Sequence, residues 1–133
     1  MSVAVITGAN RGIGLEFARQ LSARGASVVA VCRQSSPELD ALGVRVESGV
    51  DVTQPAAWAR LAGRLAHDDI DLLIQNAGVL LADSLDDIDP DKMRAQFEIN
   101  AVAPILLTRA LAPRLRAGAK VALITSRMGS IAD

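Results

Sequence analysis

The sequence predicts an α/β fold, a parallel sheet wrapped by crossover helices, and three observations carry that expectation. Short apolar, β-branched runs alternate with longer helical patterns. A glycine-rich stretch falls between the first strand and the first helix, where a nucleotide fold needs close backbone approach. The run Ile70–Gln75 is nearly all apolar, as expected of a strand covered on both faces.

Taken in order, the first strand is Val3–Thr7. Beyond the glycines, Ile13, Phe17 and Leu21 recur at helical spacing, and Gly25 sits where a left-handed C-terminal cap falls. Residues 28–32 form the second strand. Ser35-Ser36-Pro37 opens a short helix through about residue 42, and residues 44–48 form the third strand. A helix capped by Thr53 follows Asp51-Val52 and carries Trp58, Leu61 and Leu65 inward. After Ile70–Gln75 comes a polar loop with Asp83, Asp86, Asp87 and Asp89. Asp89-Pro90 then starts a long helix toward Leu115, and residues 119–125 form a fifth strand. No repeat, low-complexity tract or linker interrupts the pattern, so residues 1–133 are expected to be one unit.

Composition narrows the function. The 133 residues are 50% hydrophobic and 22% charged, with 14 Lys and Arg against 15 Asp and Glu for a formal net charge of −1. That is a soluble globular domain or part of one, and the balance argues against a charge-driven binder of nucleic acid or membrane surfaces. Cys32 is the single cysteine, so neither an internal disulfide nor a multi-thiolate metal site is expected, and a reducing cytoplasm is the default. The N-terminus has no basic leader, and no run of apolar residues is long enough to span a bilayer. The aromatics are Phe17, Trp58 and Phe97; with no Tyr, no chemistry among these residues uses a phenol. His67 reads as a solvated helix-end residue, the Asp83–Asp91 region as loop and cap without the spacing of a calcium loop, Trp58 as packing, and Cys32 as a buried small hydrophobe. No metal is expected.

The stretch Thr7-Gly8-Ala9-Asn10-Arg11-Gly12-Ile13-Gly14 points to a dinucleotide. Glycines there let the chain turn tightly and bring amide N–H groups, with the positive end of a helix dipole, against a pyrophosphate. The bland alternative is a tight turn with no ligand; a P-loop is excluded because no Gly-Lys-Ser/Thr follows. An acidic residue at the end of the second strand would bind a ribose diol, whereas this strand ends Val31-Cys32-Arg33. Arg33 and Arg11 together suit a 2′-phosphate, which favours NADP over NAD, unless both are simply solvated.

These residues resemble the short-chain dehydrogenase/reductase family over the whole chain. Thr7 to Gly14 matches its T-G-x-x-x-G-x-G cofactor motif, Asp51-Val52 its adenine-contacting D-V pair, and Asn76-Ala77-Gly78 most of its N-N-A-G motif, with Gln75 replacing the first Asn. Asn100 falls where the family has its active-site Asn, and Ser126 where it has its active-site Ser. The Cys32-Arg33 pair and the Arg127-Met128-Gly129-Ser130-Ile131 run are most similar to the C-factor-like, carbonyl-reductase-type branch. The resemblance implies a Rossmann-type doubly wound sheet of strand order 3-2-1-4-5, with two further strands not encoded, and cofactor contacts from Gly8, Asn10, Arg11, Gly12, Ile13, Gly14, Arg33, Asp51, Val52, Asn76, Ala77 and Gly78.

The implied reaction is hydride transfer between a nicotinamide and the carbon of a small carbonyl or alcohol substrate. Ser126 would hydrogen-bond the substrate oxygen; its bland alternative is a strand-end hydroxyl bonding the backbone. Pro104 has no N–H to offer the Asn100 carbonyl, so the helix should kink there and spare an acceptor for the relay water that the resemblance implies, or else be an ordinary proline kink. The family's Tyr and Lys, which follow the Ser, are missing. Residues 121–124 would also form an apolar, unprotected sheet edge. The expectation is the N-terminal, cofactor-binding part of a longer enzyme, inactive by itself. A non-catalytic dinucleotide-binding or signalling module remains the alternative. Family members often pair through their fourth and fifth helices, so a homo-oligomer stays open.

Overall fold

The computed structural model describes residues 2–132, so Met1 and Asp133, the ends of the expected 1–133 unit, lie outside the described residues. Strands β1 (Val3–Thr7), β2 (Ser27–Val31), β3 (Arg45–Glu47), β4 (Ile70–Gln75) and β5 (Leu115–Leu123) are parallel and lie in the order β3-β2-β1-β4-β5. The chain builds outward from β1 to β3, then crosses back to place β4 on the other side of β1. Strand direction of growth therefore reverses beside β1, which opens a crevice at the carboxyl ends of β1 and β4.

Side chains alternate between two apolar layers, as strand geometry requires. Val5, Val29 and Leu73 face α3 (Pro55–Arg64) and α5 (Ala103–Leu111), where Trp58, Leu61, Leu107 and Leu111 are buried together with Leu65 at the end of α3. Ile6, Ala30 and Ile74 point the other way, toward Ala18 of α1 (Gly12–Ala23) and Leu39 of α2 (Pro37–Asp40). Each fully buried Leu or Ile contributes about 1.5–3 kcal/mol.

Helix α1 departs from its expected apolar stripe. Its buried residues are Gly14 and Ala18, four apart, while Phe17 and Leu21 are half-buried and Ile13 is 62% exposed. Two small residues let the helix axis approach the sheet closely, and that rotation turns Ile13 outward. Its C-terminus ends as expected: Gly25 N–H bonds Ser22 O at 2.9 Å and Ala26 N–H bonds Leu21 O at 3.0 Å, the paired bonds of a glycine-terminated helix. Ser36 caps α2. Thr53 does not cap α3, however. Asp51 Oδ1 takes both its N–H, at 2.9 Å, and its hydroxyl, at 2.7 Å, and Pro55 sets the helix start so that Gln54 is the cap.

The expected long helix from Asp89 toward Leu115 is broken into pieces. Asp89 caps α4 (Pro90–Phe97) by accepting the Asp91 N–H, as the sequence predicts. Residues Glu98–Val102 form a π-helical turn, then α5 runs to Leu111 and a 3₁₀ turn, Ala112–Arg114, leads directly into β5. Pro104 offers no N–H to the preceding turn, which relaxes into the wider ring, and Pro113 falls in the 3₁₀ turn that follows α5. Strand β5 thus begins at Leu115 rather than residue 119. Its pairing with β4 shifts between Leu115 and Lys120, with Gly118 at φ 83°, so regular pairing resumes near the expected start.

Among the described residues the sheet edges are β3 and β5. On β3, Glu47 is buried and paired with Arg45 and Arg64, each at 2.9 Å, so charge covers that edge. Strand β5 exposes Val121 and Leu123. The acidic loop is spent on backbone: Asp83 accepts the N–H groups of Ser84 and Asp89. No helix among the described residues is long and apolar enough to cross a membrane.

Asp71 ties three strands together. Register slips between Val3 and Ala4 against Ile70 and Leu72, and the Asp71 carboxylate uses the freed space to accept Val3 N–H at 2.8 Å and Arg116 Nη1 at 3.0 Å. The Val3 N–H first, and Arg116 second, hold this carboxyl below the usual carboxylate range. A folded-state value below the unfolded one means that the unfolded chain binds more protons, so the contribution is complete above about pH 4 and fades as pH falls through the folded-state value. Asp71→Asn is expected to flatten the acid limb of a urea-stability profile; an unchanged acid limb would remove Asp71 from that role.

Candidate functional site

The carboxyl ends of β1, β2 and β4 surround a cleft of about 690 Å³. Four segments wall it. Gly8, Asn10, Arg11, Gly12 and Ile13 come from the β1–α1 turn; Val31, Cys32 and Arg33 from the end of β2; Val50, Asp51 and Val52 from the segment after β3; and Asn76, Ala77, Gly78 and Val79 from the segment after β4, with Ile99 of the π turn closing one side. An adjoining recess is lined by Asn10, Arg33 and Gln34.

Two kinds of constraint shape the glycine turn. Gly8 and Gly12 have φ of 65° and 57°, the left-handed region that favours glycine. Gly14 is constrained by space instead: a Cβ there would lie 2.2 Å from Gly8 O and 2.5 Å from Asn76 Nδ2. The first turn of α1 therefore packs directly on the backbone of the preceding strand end. Helix α1 has no acidic residue in its first turn and no side-chain cap at Arg11, so its N-terminal N–H groups have no internal anion, and Gly12 and Ile13 of that turn line the cleft.

Polar bonds lock the turns to one another. The buried Thr7 hydroxyl accepts the N–H groups of Asn76 and Ala77, both at 3.0 Å, and Asn76 Nδ2 donates to Gly8 O at 3.1 Å. Gln75 explains its departure from the family's Asn, since its longer side chain reaches α5 and donates to Pro104 O at 3.2 Å and Thr108 Oγ1 at 3.1 Å. Asn100 closes the far end: Val79 N–H donates to its Oδ1 at 2.8 Å and its Nδ2 donates to Val79 O at 2.7 Å. On the opposite wall Trp58 Nε1 donates to Val52 O at 2.7 Å.

Charges around the cleft are asymmetric. The N–H and hydroxyl of Thr53 hold Asp51 below the usual carboxylate range, with Arg33 adding to the effect. Burial, with Asp40 nearby, pushes the Cys32 thiol up, so it stays neutral. Arg11 and Arg33 are exposed, and neither is in an ion pair among the described residues. No group of three or more His, Cys, Asp or Glu side chains among those residues is placed to hold a metal ion.

The structure thus gathers eleven of the expected cofactor residues around one cleft, with Gly14 packed behind it. Asn100 and Ser126 do not line it. Asn100 supports its rim through Val79, and Ser126 is exposed, its Oγ accepting the Met128 N–H at 3.1 Å. Val31, Cys32, Val50, Val79 and Ile99 also line the cleft, unmarked in the sequence; each lies within two residues of an expected one, but an apolar side chain reads as core in a sequence.

The family model for short chain dehydrogenase matches residues 2–132. The chain is 40% identical to 1-hydroxy-2-glutathionyl-2-methyl-3-butene dehydrogenase of Rhodococcus sp. (strain AD45), the match covering 100% of this chain and 60% of that protein. Its fold superposes with TM-score 0.89 on a carbonyl reductase from Pseudomonas aeruginosa PAO1 in complex with NADP, at 35% identity, over 99% of this chain and 61% of that one. It superposes with TM-score 0.82 on NADPH-bound carbonyl reductase from chicken fatty liver, at 31% identity, over 100% of this chain and 63% of that one.

Proposed function

Because this chain belongs to the short chain dehydrogenase family, we propose that its cleft binds NADP(H) and forms the cofactor-binding part of an oxidoreductase acting on small carbonyl or alcohol compounds. The observation that supports this most is the packing at Gly14, where absence of a side chain lets the α1 N-terminus close on Gly8 beside a cleft that Gly12 and Ile13 of the same turn line. In this reading the first-turn N–H groups of α1 hold the pyrophosphate. Asp51 and Val52 hold the adenine, Asn76 to Gly78 form the inner wall, and Arg11 and Arg33 take the 2′-phosphate.

When bound, the nicotinamide supplies or accepts the hydride. The residues of this chain supply position. Asn100 fixes the backbone of Val79 at the inner end of the cleft, and the Ser126 hydroxyl, whose lone pair takes the Met128 N–H, keeps its proton to donate to the substrate oxygen. Lone Cys32 fits a reducing, cytoplasmic setting, and pairing of two copies belongs to the same reading, with α4 and α5 together making up the family's fourth helix and the fifth not encoded among these residues. The NADP-bound carbonyl reductases of similar fold support the choice of cofactor.

The test is a fluorescence titration of the full chain with NADPH and with NADH. Binding of NADPH is expected to be the tighter. Arg33→Asp should weaken NADPH by about 10- to 100-fold, the size of a lost charge-assisted bond, and leave NADH unchanged or improved. A chain that takes up neither dinucleotide refutes the reading, and an unchanged preference removes Arg33 from the phosphate site.

A further inference from the structure

Two separate loops face each other across the recess beside the cleft. Asn10 comes from the β1–α1 turn, Arg33 and Gln34 from the β2–α2 connection. Neither Arg11 nor Arg33 is in an ion pair among the described residues, although Arg33 lies near enough to Asp51 to lower its carboxyl, so the backbones that carry the two arginines limit how far apart they stand. The Arg33 carbonyl is fixed from the β3 side by Gly49 N–H at 2.9 Å. The other loop is fixed by Ser36, whose hydroxyl donates to Asn10 O at 2.6 Å across 26 residues of sequence and accepts Leu39 N–H at 3.2 Å. Half-buried Ser36 thus spends its one proton on the glycine turn and a lone pair on the α2 cap.

We propose that Ser36 is a positioning residue for cofactor selectivity: its bond to the Asn10 carbonyl sets the separation of Arg11 and Arg33 and so tunes the pair to a ribose-borne phosphate. The inference rests on the dinucleotide reading above. A phosphate monoester gripped between two guanidinium groups needs both forks at bonding distance and in plane. A dinucleotide with a free ribose diol makes no such demand. Loosening the Ser36 clasp should therefore penalise the phosphorylated form selectively, whereas a general loss of structure would weaken both alike.

The full chain and three variants are titrated with NADPH and NADH. Ser36→Ala removes the donor and the cap. Ser36→Gly removes the donor while keeping most of the capping preference, and Ser36→Thr keeps both. The NADPH-to-NADH preference is expected to fall about five- to tenfold in the Ala and Gly variants, the worth of one hydrogen bond, with NADH affinity held within about twofold and the Thr variant restoring the preference. A preference unchanged in both Ala and Gly overturns the proposal, as does loss in Ala without loss in Gly, which would assign the effect to the α2 cap. Failure of the unsubstituted chain to bind either dinucleotide overturns the reading beneath it, a result distinct from binding that ignores Ser36.

Discussion

Gly14→Ala should cost about 3 kcal/mol or more of folding stability and abolish dinucleotide binding. The added methyl would stand 2.2 Å from Gly8 O, 2.5 Å from Asn76 Nδ2 and 2.9 Å from Gly8 C. Two of those atoms are backbone and cannot swing aside. Relief requires helix α1 to lift from the strand end, which displaces the N–H groups that wall the cleft. Gly12 offers the contrast: nothing lies within 4 Å of a Cβ there, so an alanine meets only the strain of a φ of 57°, worth about 1 kcal/mol. Urea denaturation and NADPH titration of the two variants check this. A Gly14→Ala protein as stable as Gly12→Ala would show that α1 does not sit where the structure places it.

Thr7→Val, nearly isosteric, should be the next most damaging change. Thr7 is fully buried, and its hydroxyl is the acceptor for the N–H groups of Asn76 and Ala77. A valine takes the shared acceptor from two part-buried donors, at up to about 1–3 kcal/mol each. The Asn76 turn would then be free to shift, taking its bond to Gly8 O with it. Thr7→Ser, which keeps the oxygen, should recover most of the lost stability and binding. Equal unfolding midpoints for the Val variant and the unsubstituted chain would contradict the assignment.

Legibility in the sequence followed the range of the forces at work. Val3–Thr7 and Ile70–Gln75 were readable because a doubly covered strand must be apolar throughout, and Gly25 and Asp89-Pro90 because caps are local. Ile13 stands at the cleft, as the motif implies, and not in the sheet-facing stripe, because helical spacing cannot tell which of the two an apolar residue faces; the small pair Gly14 and Ala18 decides, through the close approach of Gly14 to Gly8. Thr53 lost its expected cap to a carboxylate two residues away, a competition between two good local signals. The polar cleft residues stood out because Gly, Asn and Arg in a strand-end turn need a reason. Val50, Val79 and Ile99 carried no such mark, and the partner of Ser36, at Asn10, lies too far along the chain for spacing to reveal it.

The bond between Thr7 and Ala77 joins residues 70 apart in sequence, and it places a limit on the order of assembly. Pairing β4 with β1 closes a loop that carries β2 and β3, so the entropy of that closure must be met before both walls of the cleft can stand together. The cleft belongs to the finished sheet and to none of its nascent parts. Any ligand it takes recognises the native topology alone, and occupancy and global folding become one linked equilibrium.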